Sequence, residues 1–439
     1  MKKIRIGMTI FMLVLIGAAW ASVATARVES NSIYQDAVDE AQLLIEEKLY
    51  QKAIVSLERA LNEREAVDTR CMWRDTYGLA YEDGVATKQQ YVSAMESVAG
   101  LQPENVDNWE TLIGFCLETN DYKSAYSYCK KAEDIGVSSE KLADYQRQVL
   151  YSYTVNGRVY SGMYYSPSGY NVVSDGDKWG ILAQDGDWVE ECTYDFIGPV
   201  SNSLVKVIGD LQELRIVDNQ GIVQAILDGG VEAARVIGDG LLPLLQDGVW
   251  KYFDSEHTGF VTGDYDEATA FSNGIAAVKT GGIWKLIDRE GNRVGDAEFE
   301  DVKLYDSGEY FYDGVFVAKA DGKYGLYNQN GELVAGISNI DMDVAMGGGI
   351  AYQDPNGKWG YMNKKGEVLI EPQYMGAKSF SNGLAAVCID GNWGFINEAN
   401  EVVIECKFLD ADYFTSEGVC FVSEVEGEYY MITLRFQER

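Results

Sequence analysis

Aromatic side chains recur through the second part of this sequence at a nearly constant spacing. Short segments such as DKWGIL, GIWKLID and GNWGFIN can be aligned on one aromatic or apolar residue each. The aligned anchors are Trp179, Leu214, Trp250, Trp284, Tyr324, Trp359, Trp393 and Tyr429, which are 34 to 40 residues apart. A unit of this size cannot bury its own apolar face, so the spacing predicts one small structural unit that is repeated and packs against its neighbours.

Each unit has the sequence pattern of short β-strands. Apolar and polar residues alternate over runs of about five, and Gly, Asp and Asn separate the runs, as in strands joined by tight turns. Residues 271–278, FSNGIAAV, return almost unchanged as residues 380–387, FSNGLAAV. The segment EVLIEP at 367–372 likewise returns as EVVIEC at 401–406. We therefore predict a repeating β domain over residues 155–439, in which the aromatic anchors pack between neighbouring units.

This region resembles the WG repeat, a Trp-Gly β-repeat found widely in bacterial proteins. Trp-Gly pairs occur at 179–180, 359–360 and 393–394, whereas Trp250 and Trp284 are each followed by Lys. The resemblance implies a tandem β fold but no particular activity. It predicts structural anchors at Trp179, Trp250, Trp284, Tyr324, Trp359, Trp393 and Tyr429, and leaves the binding residues unknown.

The two ends of the β region carry complementary parts of one unit. The last unit begins at Tyr429 and stops after one or two strands, whereas residues 156–174 contain the later strands of a unit without its beginning. A closed ring in which both termini complete one blade explains this arrangement, since closure removes free strand edges. We predict a β-propeller-like ring of about eight short blades; an open β-solenoid is the alternative.

Residues 32–150 have the apolar spacing of helices. Residues 37–61 indicate two amphipathic helices broken near residues 48–50, and a second pair begins at Trp109. Small residues at Ala53 and Ala60 match Ala125 and Ala132 in register. The pattern resembles the tetratricopeptide repeat, with residues 72–103 as a degenerate middle copy. The resemblance implies a helical-hairpin solenoid that binds a protein or peptide partner; a spacer role is the alternative.

The N-terminal 26 residues have the pattern of an export segment. Three basic residues (Lys2, Lys3 and Arg5) precede an uncharged run that ends in Ala24-Thr25-Ala26, a small-residue cleavage pattern. Residues 1–26 therefore predict a signal peptide, or a membrane anchor if the run is retained. Either reading predicts an exported protein, secreted or held in the cell envelope.

Charge and residue content narrow the function further. The formal net charge of −33 argues against nucleic acid as a partner, because a nucleic-acid-binding face must be basic. The single histidine, His257, reads as a loop residue, and the seven cysteines form no CxxC pair and leave disulfide pairing open. The sequence contains no P-loop, GxSxG or HExxH motif.

We therefore predict no enzyme activity, no catalytic residue, no cofactor and no metal site. The predicted function is that of a non-catalytic exported scaffold that binds proteins or envelope components through its helical and β repeats. A carbohydrate or cell-wall-binding module is the first alternative. A hydrolase that uses acidic residues near the ring axis is the second.

Overall fold

The computed structural model of the chain contains two compact units, which divide between Val149 and Leu150. The first is helical and the second is built from β-strands. The structure describes residues 27–166, 169–201, 206–210, 213–217, 222–228, 230–254 and 259–436. The predicted export segment and His257 lie outside these residues.

The described part of the first unit consists of seven helices, α1 to α7, joined by short turns. Their bounds are 27–46, Tyr50–Glu63, Val67–Glu82, Lys88–Leu101, Val106–Glu118, Tyr122–Ile135 and Glu140–Leu150. Side chains cap several N-termini: Thr87 and Gln90 form a capping box at α4, and Asp121 accepts from the Ser124 N–H at α6. Gly136, in the left-handed conformation, ends α6.

The predicted helix breaks and small-residue register are present in this unit. The first pair of helices turns at Lys48 and the third turns at Asn120, both with positive φ. Ala53 and Ala60 of α2 are fully buried, and Ala125 and Ala132 of α6 are buried at the matching positions. Small side chains at these sites allow neighbouring helices to approach closely.

The second unit is a ring of eight small antiparallel sheets, which we call blades 1 to 8 in chain order. Most blades contain four strands, and the first strand of blades 2 and 4 to 8 is only two residues long. The strands of blades 1 to 4 are Gly162–Tyr164, Gly169–Ser174, Trp179–Leu182 and Trp188–Tyr194, with Val200–Ser201 added; Phe196–Ile197, Lys206–Asp210, Glu213–Val217 and Val223–Asp228; Val231–Ala234, Leu241–Gln246, Val249–Asp254 and Gly259–Tyr265; and Glu267–Ala268, Ile275–Thr280, Ile283–Asp288 and Arg293–Phe299.

The remaining blades repeat this arrangement. Their strands are Asp301–Val302, Val315–Ala320, Lys323–Tyr327 and Leu333–Asn339, with Phe311–Tyr312 added; Asp341–Met342, Ile350–Gln353, Trp359–Met362 and Val368–Tyr374; Gly376–Ala377, Leu384–Ile389, Asn392–Asn397 and Val402–Phe408; and Asp410–Ala411, Val419–Val425, Glu428–Leu434 and Tyr153–Tyr160. The two-residue first strands explain how four strands fit into about 35 residues.

The terminal strands of the β region close the ring. Tyr153–Tyr160 pairs with Glu428–Leu434 and supplies the last strand of blade 8. Tyr160 is fully buried in a core shared by blades 8 and 1, and the Thr415 hydroxyl donates to the Gln184 carbonyl at 2.6 Å across the same seam. The closed ring of eight blades is thus confirmed, and the open solenoid is wrong.

The glycine of the Trp-Gly pair lies where the neighbouring strand crosses closely over it. A Cβ on Gly394 would lie 2.6 Å from the backbone nitrogen of Cys406 and from the Ile404 carbonyl oxygen. In blade 3 the corresponding residue is Lys251, and the glycine lies opposite it, at Gly263. In blades 3 and 7 the close approach of the third and fourth strands is therefore accommodated by one glycine, which lies on the fourth strand in one blade and on the third strand in the other.

Candidate functional site: the axial cavity

The residue that follows the short first strand lines a common cavity in blades 5 to 8. Its backbone N–H donates to the second strand of the same blade, which defines one equivalent position in several blades. The residues at this position, which we call the axial position, are Arg235, Thr269, Lys303, Asp343, Lys378 and Asp412 in blades 3 to 8. Opposite charges therefore alternate from blade 5 to blade 8.

Basic residues at the axial position bind carboxylates of the following blade. The Lys378 Nζ lies 3.1 Å from an Asp412 carboxylate oxygen, and the Lys303 Nζ lies 2.9 Å from Asp341. Arg235 contacts Glu267 in the same way at 2.9 Å. Because these side chains are partly shielded from water, the ion pairs that link neighbouring blades are screened by salt less than fully exposed pairs are.

Asp343 is held by hydrogen bonds as well as by charge. The Tyr413 hydroxyl lies 2.8 Å from each carboxylate oxygen, and the Ser379 N–H donates to one of them at 2.6 Å. Burial raises the pKa of Asp343, although both donors and the nearby Lys378 oppose that rise. Burial would lower the pKa of Lys378. The negative charges of Asp412, Asp410 and Asp343 outweigh burial and raise this pKa overall. Lys378 therefore stays charged.

Three tyrosines from blades 1, 5 and 8 contact one another. Ring centroids of Tyr165, Tyr305 and Tyr413 are 5.2 to 6.1 Å apart, and Val344 and Met346 join the same cluster. These residues belong to blades 1, 5, 6 and 8, so their contact fills the middle of the ring. Burial raises the pKa of all three tyrosines, which are therefore neutral at physiological pH.

A cavity of about 470 Å³ lies beside this tyrosine cluster. It is lined by parts of blades 5, 6, 7, 8 and 1, and no described residue of blades 2 to 4 lines it. Its charged lining residues are Lys303, Lys378, Asp306, Asp343, Asp410 and Asp412. Within the described residues, Asp306 has no hydrogen bond or ion pair. Burial, and next the charge of Asp412, raises the pKa of Asp306.

The aromatic anchors predicted from the sequence lie elsewhere, in the third strand of their blades. Trp250, Trp284 and Tyr324 are buried, whereas Trp179, Trp359, Trp393 and Tyr429 are half-buried. Five of the tryptophans pair with an aromatic residue at the end of the fourth strand, in the pairs Trp179–Tyr194, Trp250–Tyr265, Trp284–Phe299, Trp359–Tyr374 and Trp393–Phe408. Of the predicted anchors, only Tyr429 reaches the axial cavity.

Sequence reasoning did not identify the axial residues. Their signal is present in the aligned units, where DVK, DMD, GAK and DAD occupy one position before the second strand of blades 5 to 8. Two-residue strands carry no periodic pattern, so attention to periodicity alone missed them.

The described residues show no metal centre or disulfide. No group of three or more His, Cys, Asp or Glu among them is arranged to hold a metal ion. All seven cysteines lie in the described part and are free thiols. Burial raises the pKa of Cys116 to about 11, so this helical thiol is protonated and unreactive. Within the same residues, no helix is both long and apolar enough to cross a membrane.

Eight antiparallel sheets around one axis, closed by pairing of the first and last strands, define an eight-bladed β-propeller. Three stretches of it, residues 261–284, 359–393 and 393–429, match the family model for the WG containing repeat. This confirms the resemblance based on the Trp-Gly pairs. WG repeats and propellers are typical of protein-interaction modules and are typically non-catalytic.

Solved structures with some likeness to the chain have low sequence identity. A eukaryotic initiation factor is 11% identical, with 64% of this chain and 87% of that chain covered and a TM-score of 0.43. The Pan2 WD40 domain of Neurospora crassa is 9% identical, with 64% and 90% covered and a TM-score of 0.33. Hsv2p of Kluyveromyces lactis is 10% identical, with 49% and 88% covered and a TM-score of 0.34. A search of curated proteins finds no match.

Proposed function

We propose that the protein is an exported, non-catalytic scaffold that binds another protein at the axial cavity of its propeller. The observation that carries this proposal is the state of the charged groups in the cavity. Lys378 and Lys303 are bound to carboxylates, and Asp343 accepts hydrogen bonds at both oxygens. These paired groups shape and charge a binding surface and are not free to exchange protons with a substrate, which leaves Asp306 as the unpaired carboxylate of the described lining.

The tyrosines favour a protein partner over a sugar. Tyr165 and Tyr305 are only 4% and 6% exposed, because their rings pack against each other and against Tyr413. Sugar stacking needs an open aromatic face, which these two buried rings do not offer. Carbohydrate binding is therefore the less favoured function, and the hydrolase reading is less favoured still.

The helical unit supports a second contact surface. Its paired helices and the small-residue register at Ala53, Ala60, Ala125 and Ala132 are typical of tetratricopeptide-like repeats. We infer that this unit also binds a protein or peptide, and that no cofactor takes part.

Site-specific photo-crosslinking tests the binding function. A photoreactive phenylalanine derivative replaces Tyr429, which lines the cavity, in the full chain expressed in its own cells. Irradiation should yield a covalent adduct with another protein. The matched control replaces Tyr265 in blade 3, outside the cavity lining, and should yield far less. Equal yields at the two sites, or no adduct at either, would contradict the proposal.

Export is tested separately with residues 1–26. Fused to a phosphatase that is active only outside the cytoplasm, this segment should produce activity in intact cells. The same fusion without Lys2, Lys3 and Arg5 should produce less, because the basic residues orient an export segment. An inactive complete fusion that is stably expressed would refute the export proposal while leaving the binding proposal intact.

A further inference from the structure

A second equivalent position separates blades 6 to 8 from blades 4 and 5. The residue just before each short first strand donates its backbone N–H to a carbonyl near the end of the second strand, at 2.7 to 3.1 Å. We call this the edge position. It is occupied by Asp266, Glu300, Ile340, Met375 and Leu409 in blades 4 to 8.

The acidic edge residues serve the fold. Glu300 accepts a hydrogen bond from the Gly322 N–H at 2.8 Å, and Asp266 accepts from Gly282 at 3.4 Å. Both carboxylates thereby bind the turn between the second and third strands of their own blade. An apolar side chain cannot make this bond, so blades 6 to 8 forgo it.

The apolar edge residues are instead exposed to solvent. Ile340, Met375 and Leu409 are 49%, 56% and 51% exposed, and they occupy the same position in three consecutive blades. We call these three residues the apolar arc. Exposed apolar side chains that recur in adjacent repeats indicate a contact surface, because their burial against a partner removes apolar surface from water and so favours binding.

The axial cavity extends to the edge position of blade 1. Ser161 lies just before the first strand of that blade, donates its N–H to the Ser174 carbonyl at 2.8 Å, and lines the cavity. Blades 6, 7 and 8, which carry the arc, all contribute to the cavity lining, whereas the described parts of blades 2 to 4 do not.

The charge of the cavity defines the chemistry of the occupant. Four aspartates line the cavity against two lysines, and both lysines are already paired. The Asp306 carboxylate remains available within the described residues, and the chain as a whole carries −33. A positively charged group entering this partly enclosed space is favoured more strongly than it would be in open water.

We propose that the arc and the cavity together bind an extended segment of a partner protein in which a lysine or arginine is flanked by apolar residues. The basic side chain enters the cavity towards Asp306, and the apolar neighbours cover Ile340, Met375 and Leu409. This proposal rests on the proposed binding function and names the chemistry of its partner.

Selection from a random peptide library tests the proposal. Phage-displayed linear 12-residue peptides are selected on the purified full chain, and the dissociation constants of enriched peptides are then measured by fluorescence anisotropy. Enriched peptides should contain a basic residue between apolar residues. Their affinity should fall at least tenfold with Ile340→Asp/Met375→Asp/Leu409→Asp and with Asp306→Asn, and should weaken as salt rises.

The controls separate this proposal from the general binding function. Val261→Asp changes a similarly exposed apolar residue (47%) in blade 3 and should leave affinity within twofold. Circular dichroism and thermal unfolding confirm that each variant folds. Peptides that bind the arc variant and Asp306→Asn as tightly as the unchanged chain would overturn this proposal but not the binding function. No enrichment above a bare-surface control would overturn both.

Discussion

Blades 4 and 7 have the same four strands but differ at three equivalent positions. The residue after the tryptophan is Lys285 in blade 4 and Gly394 in blade 7. The axial residue is Thr269 in one and Lys378 in the other, and the edge residue is Asp266 or Met375. The aromatic cross-strand pair is present in both. Blades 4 and 7 therefore share the aromatic pair, whereas their axial and edge positions differ and carry the surface properties of the ring.

The largest effect is expected at the residue after the tryptophan. Gly394→Val should lower the free energy of unfolding by about 3 kcal/mol, because its Cβ would collide with backbone atoms that cannot move aside. Lys285→Ala at the equivalent position in blade 4 should change it by no more than about 0.5 kcal/mol. Urea unfolding measures both. A similar loss of stability in the two variants would contradict our conclusion that the third and fourth strands approach more closely at Gly394 than at Lys285.

The axial position should give the next largest effect. Lys378→Met removes the cation that faces Asp412 and Asp343. It should lower the free energy of unfolding by about 2 kcal/mol at pH 7. Lys364→Met, which breaks an exposed pair with Asp313, should cost no more than about 0.5 kcal/mol.

The loss caused by Lys378→Met should depend on pH. The pKa of Asp343 is raised above its ordinary value of 3.8, so the folded state holds this proton more tightly than the unfolded state does. Its burial therefore costs stability at neutral pH, and the cost disappears as pH falls through the raised pKa. Unfolding at pH 4 should show a smaller difference between variant and parent than at pH 7. An equal or larger difference would exclude this carboxylate as the cause.

The smallest effects on stability are expected at the edge position. Glu300→Leu loses the acceptor for the Gly322 N–H and should cost about 1 kcal/mol or less, since the site is solvent-exposed. Met375→Asp should change stability by no more than about 0.5 kcal/mol, although we expect it to weaken peptide binding. Thermal unfolding in parallel tests both, and a marked loss of stability in Met375→Asp would mean that the arc serves folding.

The repeat itself was readable from the sequence because its anchors are large aromatic residues at regular spacing. Trp179, Trp359 and Trp393 marked the third strands of their blades, and the incomplete unit at Tyr429 indicated that the ring is closed. The axial and edge residues adjoin strands of two residues, which leave no alternating pattern. Lys378 and Met375 acquire their significance only when the fold brings neighbouring blades together. The strand that carries the glycine also could not be predicted. Gly394 lies on the third strand of blade 7, whereas Gly263 lies on the fourth strand of blade 3, and the choice depends on how closely the two strands approach each other.

A crystal structure of the full chain with an enriched basic peptide bound tests the central claim most directly. We predict that the basic side chain lies in the axial cavity within ion-pair distance of Asp306, and that apolar peptide residues cover Ile340, Met375 and Leu409. A peptide bound to the opposite face of the ring, to blades 2 to 4 or to the helical unit alone would contradict the account.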